Sequence, residues 1–481
     1  MDVNLGAIAP ELVLVAAAAV IILMDAFLPR GLPRAAVLPL ALLGLAVSAV
    51  VTIPLLQHSG TSFSGAISVD PYAIYFKLLF IIAAALVLLA SASFLEDVAR
   101  YRSEFVGLLL LATTALMLLA AASDLITIYI ALEMSGLSIA FLSAWNKRDV
   151  RSTEAGLKYF LLSAMSSAVL LYGMAIIYGL TGQLQLSAIA RELTTSPNAA
   201  LFLGMTMLLA GFGFKISAVP FQMWTPDVYE GAPTVVTAYL SVASKSAGFA
   251  VLIRVLMTAL PAERADWSVL IAVLALATMT VGNIVALVQS NMKRMLAYSS
   301  IAQAGYVLVG VAAASPRSIS AVLFYLLAYT ATNLAAFIAV IAITRYVGSE
   351  RIRDFRGLHH RAPGLAFALA VALLSLAGLP PFVGFFAKLY IFWAAAEGGL
   401  LWLVLVAMIN SAISLYYYAQ VIHDMYLVSA AEPAPGGAAP PPRPVPAVVS
   451  LGIALTGVLL LGVFSGTFFS FQNVAAAALA R

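Results

Sequence analysis

The chain has no cysteine, few histidines and little charge, and each shortage removes a class of function. Without thiols, disulfides and thiolate-held iron–sulfur clusters are excluded from this chain. The four histidines, His58, His359, His360 and His423, fall in or beside predicted loops, so none makes a mid-membrane pair suited to haem or a metal. Only 10% of the 481 residues are charged while 63% are hydrophobic, and the mean hydropathy is +1.03. These values lie far outside the balance of soluble globular chains and describe a polytopic membrane protein. Strand-like alternation is missing, which excludes an outer-membrane barrel, and so are glycine-rich phosphate loops and nucleophile triads.

A bilayer core takes about 20 mainly apolar residues per helix, and the sequence supplies about 14 such segments. They start near residues 6, 35, 72, 105, 125, 154, 199, 234, 268, 296, 318, 363, 400 and 447, giving an all-α polytopic fold. The N-terminal segment, with Asp2 where a secretory signal carries basic residues, is expected to be a retained first span. Arg30, Arg34, Arg100, Arg102, Lys147, Arg148, Arg151, Lys293, Arg294, Arg345, Arg351, Arg353, Arg356, Arg361 and Arg443 fall in alternate loops. The other side has only Arg191, Arg264, Arg317 and Arg481. The positive-inside rule makes the first set cytoplasmic and puts both termini on the periplasmic side of a bacterial inner membrane. The net charge of +4 is thus explained by topology, with no need for nucleic acid. The Pro/Ala/Gly stretch over 429–446 is expected to be a cytoplasmic linker.

Six basic residues fall inside apolar segments: Lys77, Lys158, Lys215, Lys245, Arg254 and Lys388. An ionised side chain at mid-span costs about 2.5–3.5 kcal/mol, so such residues usually face the bundle interior and mark a pathway. Snorkelling to the headgroups is the alternative; position favours it for Lys77 and Arg254, divides evenly for Lys158, and disfavours it for the deep Lys245. Glu133 is the counterpart acid in span 5, and both Lys158 and Lys215 are candidate partners for it. A structural Glu–Lys clamp is the competing reading.

Proline interrupts two spans. Pro220 frees the carbonyl of Ile216, beside Lys215; Pro380 and Pro381 free those of Leu376 and Ala377, ahead of Lys388. Irregular backbone at membrane depth is tolerated where protein or a hydrated cavity protects it. The interrupted spans are seventh and twelfth, five apart, which predicts inverted repeats over spans 4–8 and 9–13. The expected units are 1–104, 105–258, 268–425, the linker and a C-terminal helix at 447–481. A kink needed only for packing is the alternative. An apolar site favours the neutral form of a lysine and a nearby carboxylate the charged form, so a lysine–acid pair in a pocket can switch between holding and releasing a proton.

The motifs "PFQMWTPDVYEGAPT" (220–234), "NMKRMLAYSSIAQAGY" (291–306) and "LAGLPPFVGFFAKLYIF" (376–392) together resemble the subunit N family of bacterial NADH-quinone oxidoreductases, equivalent to mitochondrial subunit 2. The resemblance runs over nearly the whole chain. It implies a 14-helix antiporter-like subunit of the complex's membrane arm, beside subunits M, L and the small subunit K. Protons would cross it while NADH, FMN, iron–sulfur clusters and quinone act in other subunits, leaving no cofactor, metal or redox site in this chain. On matching positions it implies Glu133 as coupling acid, Lys215 as the lysine of broken span 7, Lys245 as the connecting lysine and Lys388 as the terminal lysine; Lys158 is a further candidate. Gln222 departs from the histidine of many relatives and cannot titrate. Asp227 and Glu230 are expected to cap backbone freed by Pro226 and Pro233, and Trp224 to be an interfacial anchor. A gradient-driven cation/proton antiporter subunit and a structural scaffold are the competing functions.

Overall fold

Apolar segments surrounded by lipid satisfy their backbone groups internally, so segments of spanning length become helices. The computed structural model describes residues 4–27, 33–57, 59–98, 101–193, 199–429 and 445–479. Arg30, His58, Arg100, Arg443, Arg481, the side chain of Arg34 and nearly all of the linker lie outside the described residues.

Spans 1 to 11 are Leu5–Asp25, Ala36–Gln57, Pro71–Ala90, Arg102–Ala121, Leu125–Ser143, Val150–Thr181, Ala199–Ile216, Thr234–Thr258, Arg264–Ala286, Met292–Ala313 and Pro316–Val347. Span 12 is two half-helices, Pro363–Ala377 and Val383–Glu397, and spans 13 and 14 are Leu401–Tyr426 and Val445–Val463. Every predicted start lies within about one helical turn of an observed one. One expectation fails at the C-terminus. The segment read as a single last helix breaks at Phe464 and continues as a separate helix, Ser465–Ala477. A short antiparallel hairpin, β1 (Gly60–Ser62) with β2 (Ile67–Val69), closes the turn between spans 2 and 3.

Inversion is visible in hydrogen bonds. Asp124 caps span 5 by accepting from the Ile126 and Thr127 amides, and its backbone bridges Gln185; Asn291 caps span 10 by accepting from Lys293 and Arg294, and its backbone bridges Arg351. The Leu186 amide donates to the Ser123 carbonyl as the Ile352 amide does to that of Ser290. The same turn thus recurs five spans later, on the opposite face of the bundle.

Burial is uneven. In spans 8 and 10, 94% of the apolar window is buried, against 28% in spans 2 and 6, so spans 8 and 10 form the centre around which polar residues collect. Close packing at the break in span 12 depends on Gly384, where an added Cβ would lie 1.8 Å from the Ser375 carbonyl oxygen. Backbone cannot yield as a flexible side chain does, so Gly384→Ala is expected to destabilise the bundle by at least about 1–3 kcal/mol. A lower thermal midpoint of the assembled complex is the readout.

Candidate functional site: a buried line of lysines

Span 7 ends one residue after Lys215. Ser217 takes a left-handed conformation (φ 63°), the chain passes through a cis Val219–Pro220 bond, and a short helix, Trp224–Gly231, follows. Trp224 is not an interfacial anchor. Its ring is 1% exposed, its Nε1 donates to the Phe214 carbonyl at 2.9 Å, and it meets Tyr159 edge-on at 5.0 Å. Loss of helical hydrogen bonds at the break leaves a buried carbonyl in need of a donor, and the indole supplies one. Gln222 has its carbonyl oxygen buried without a hydrogen-bond partner.

Lys215 is buried and donates to Ser135 Oγ at 2.9 Å and to the Tyr159 hydroxyl at 3.4 Å. Glu133 is only half-buried and accepts from Ser167. No ion pair joins Glu133 to Lys215, but Ser135 lies two residues further along the same helix. Lys158 is not Glu133's partner either. With 40% of its side chain exposed, it pairs with Glu154 at 2.7 Å and Asp227 at 2.9 Å.

Lys245 follows a π-helical turn, Leu240–Ser244, in span 8; such turns often mark functional sites. Its ammonium donates to Ser300 Oγ at 2.5 Å, which also accepts from the Tyr329 hydroxyl at 2.9 Å and lies 3.4 Å from that of Tyr229. Lys388 donates to Ser411 Oγ at 2.8 Å and to the Ala377 carbonyl at 2.9 Å, while Gln303 donates to the Leu376 carbonyl at 3.0 Å. Both carbonyls freed by the proline pair therefore have side-chain donors. The two broken helices are not equivalent in detail, since Lys215 closes the first half of its span whereas Lys388 lies inside the second half of its own.

Snorkelling fails for both residues to which position assigned it. Lys77 is buried and paired with Glu11 at 2.8 Å. The Arg254 guanidinium grips Asp70 with two bonds, 2.8 and 3.0 Å, donates to the Ala120 carbonyl and lies over the Tyr72 ring. Sequence distance to a helix end could not reveal these acids, which come from other segments. Burial opposes ionisation of Asp70, but the Arg254 charge, its hydrogen bonds and the Ala73 amide outweigh it and hold the carboxyl below the usual carboxylate range.

Asp227 and Glu230 cap no helix. They form an ion cluster with Lys158 and Arg294, which donates to both carboxylates at 2.9 Å. Beside it, Lys293 donates to the Glu230 and Ala232 carbonyls and pairs with Glu350 at 3.0 Å. Against partial burial, bonds from Lys158 and Arg294 lower the Asp227 pKa. A depressed carboxylate stabilises the fold above its unfolded pKa of about 3.9 and loses that contribution as pH falls through its lower folded value. Asp227→Asn is therefore expected to lower the melting temperature at pH 7 and to make a smaller difference at pH 3. Thermal melts at both pH values check this.

Hydroxyls and amides around the lysines were missed in sequence. Ser300, Gln303, Tyr306, Tyr329, Asn283 and Asn410 are all buried. Their only signal was polarity inside apolar spans, and the basic residues drew attention first. Among the described residues, no group of histidines and carboxylates could hold a metal ion.

Residues 122–414, which contain the broken spans and Lys215, Lys245 and Lys388, match the family model described as "NADH:quinone oxidoreductase/Mrp antiporter, TM". The chain belongs to that family. It is 44% identical over 429 residues to the NADH-quinone oxidoreductase subunit N of Trichlorobacter lovleyi, covering 88% of each chain. With the NAD(P)H-quinone oxidoreductase subunit 2 of Synechococcus sp. it shares 41% identity over 485 residues, covering 98% of this chain and 91% of that one. Among solved structures, it is similar to a chain of respiratory complex I from Thermus thermophilus, with a TM-score of 0.80 and 32% identity over 96% and 98% of the two chains. A chain of the Mrp complex from Dietzia sp. shares the family's fold, with a TM-score of 0.87 at 22% identity over 99% and 98%.

Proposed function

We propose that this chain carries protons across a bacterial inner membrane as a membrane-arm subunit of an NADH-quinone oxidoreductase. Electrons pass through other subunits, where NADH, FMN, iron–sulfur clusters and quinone act, and no cofactor binds here. Its neighbours are antiporter-like subunits such as M and L and the small subunit K, and both termini are periplasmic. Residues 105–258 and 268–425 act as two inverted repeats, following the N-terminal segment 1–104.

One observation carries the reading: Lys215, Lys245 and Lys388 are buried, and their ammonium groups are hydrogen-bonded to hydroxyl and carbonyl oxygens instead of carboxylates. A lysine locked to an acid is a clamp, as Lys77 is with Glu11. One held by neutral oxygens can give up its proton without leaving a bare carboxylate behind. Glu133, within the same region as Lys215, is the charge whose movement biases that lysine, with Ser135 and Ser167 as links. Driving one charge against 100 mV takes about 2.3 kcal/mol, which conformational change in partner subunits must supply.

Glu133→Gln is expected to leave the complex assembled and to cut NADH-driven proton uptake in membrane vesicles several-fold. Lost assembly would favour the scaffold. Cation–proton exchange that persists without NADH or quinone would favour the antiporter.

A further inference from the structure

Where the loop after span 9 meets span 13 and the turn at 351–356, the bundle leaves a cavity of about 400 Å³. Its lining combines apolar Leu287, Met295 and Val421 with the amides of Gln289 and Gln420, and with three arginines, Arg351, Arg353 and Arg356. We propose that this cavity seats the headgroup of one anionic phospholipid, gripped by the arginines, with its acyl chains lying along spans 9 and 13.

The fold itself does not demand these arginines. The matching turn of the first repeat has Gln185 where Arg351 stands, by its bridge to Asp124, and Leu186 and Ser187 where Ile352 and Arg353 follow. That turn has a cavity of its own, about 380 Å³, but hydroxyls such as Thr61, Ser64, Ser68, Ser123 and Ser187 line it, and its one arginine, Arg254, is held by Asp70. One backbone turn is thus built twice, with neutral side chains on one face and cationic ones on the other. The positive-inside bias accounts for basic residues on the arginine-rich face, yet it is satisfied wherever in a loop they stand. It does not gather three of them around one cavity.

Nearby acids leave positive charge to spare. Arg351 is exposed and has no ion-pair partner among the described residues, Arg353 meets Asp354 only at 3.7 Å, and Arg356 meets Asp424 at 3.4 Å. A phosphodiester supplies the missing negative charge, and a guanidinium fork matches two of its oxygens with paired N–H donors. Basic pockets between spanning helices suit anionic headgroups for this reason. Free phosphate shares that chemistry, but the surroundings favour a lipid. Ile284 and Val288 are exposed on span 9 beside the lining residues Leu287 and Gln289, and Tyr416 is exposed one turn before Gln420 on span 13. Exposed apolar surface bordering the cavity accommodates acyl chains and offers nothing to a free anion.

The test uses the assembled complex in phosphatidylcholine nanodiscs that carry a trace of phosphatidylglycerol with a diazirine on one acyl chain. After irradiation, lipid-linked peptides of this chain are sequenced. Adducts within 284–288 and 412–420 are expected, displaced by unlabelled phosphatidylglycerol but not by further phosphatidylcholine or by inorganic phosphate. Each arginine near an anionic headgroup is worth about fivefold in binding. Arg351→Gln combined with Arg353→Gln is therefore expected to reduce these adducts at least about tenfold, with complex content and adducts on the lipid-exposed span 2 unchanged. Lysine at both positions keeps the charge without the paired donors, and its adducts should fall between the two. Equal displacement by phosphatidylcholine, or adducts that survive the loss of both arginines, makes the lipid an ordinary annular one and overturns the proposal. Displacement by inorganic phosphate assigns the cavity to a free anion and also overturns it, as does an absence of adducts on spans 9 and 13. Displacement in the unaltered complex decides the matter even where the double variant fails to assemble.

Discussion

Asp70→Ala is expected to remove most of the assembled protein from the membrane. Arg254 is buried beside the Tyr72 ring, and the Asp70 carboxylate is its one ion-pair partner among the described residues. Deleting one half of a buried pair leaves the other charge uncompensated, a cost of about 3–5 kcal/mol. Asp70 also caps span 3 by accepting from the Ala73 amide at 2.7 Å, adding about 1 kcal/mol to the loss. Against a total stability of about 5–15 kcal/mol, this is a large fraction. Asp70→Asn keeps the cap and removes the charge, so it separates the two contributions. Replacing both partners, as in Asp70→Asn with Arg254→Met, should recover much of the loss, because an apolar substitute for a buried ion pair is often neutral or stabilising. Complex content on native gels and thermal midpoints measure all three. Because the Asp70 pKa is depressed, the pair's stabilisation is present above the usual carboxylate pKa of about 3.9 and disappears as pH falls through the lower folded value.

Lys245→Met is expected to do the opposite, leaving the complex intact while proton uptake falls at least about tenfold, which corresponds to about 1.4 kcal/mol or more on the limiting step. Lys245 faces Ser300 and, among the described residues, has no carboxylate in ion-pair range. Its removal strands no charge, and methionine fills similar volume in an apolar site, so stability should be unchanged or raised. The remaining cluster, Ser300 with Tyr329 and Tyr229, stays hydrogen-bonded but offers no group that titrates near neutral pH. The contrast between Asp70→Ala and Lys245→Met separates buried charges that hold the bundle together from those free to move protons. Parallel measurement of complex content and NADH-driven uptake distinguishes the two.

That contrast also marks the limit of sequence reading. Span positions were legible because hydrophobic length is a one-dimensional property, and the proline pair at 380–381 announced carbonyls that Lys388 and Gln303 do satisfy. The burial of Lys215, Lys245 and Lys388 followed from their depth in long apolar segments. What depth could not reveal was pairing across the bundle. Lys77 meets Glu11 from span 1, Arg254 meets Asp70 from the head of span 3, and Lys158 meets Asp227 instead of Glu133. Trp224 looked interfacial because tryptophan next to proline and carboxylates suits a membrane boundary, yet the break in span 7 draws it inward to donate to Phe214. The asparagine and tyrosines near Lys388 escaped because a lone amide in an apolar span declares no partner until the helices are packed.

On the proposed function, the lysine buried at the break in span 7 carries protons. NADH-driven proton uptake by vesicles with assembled Lys215→Ala complex, alongside subunit content, tests it most directly. Normal assembly with strongly reduced uptake is expected; full uptake at normal assembly would rule out the proton-carrier role and return Lys215 to packing.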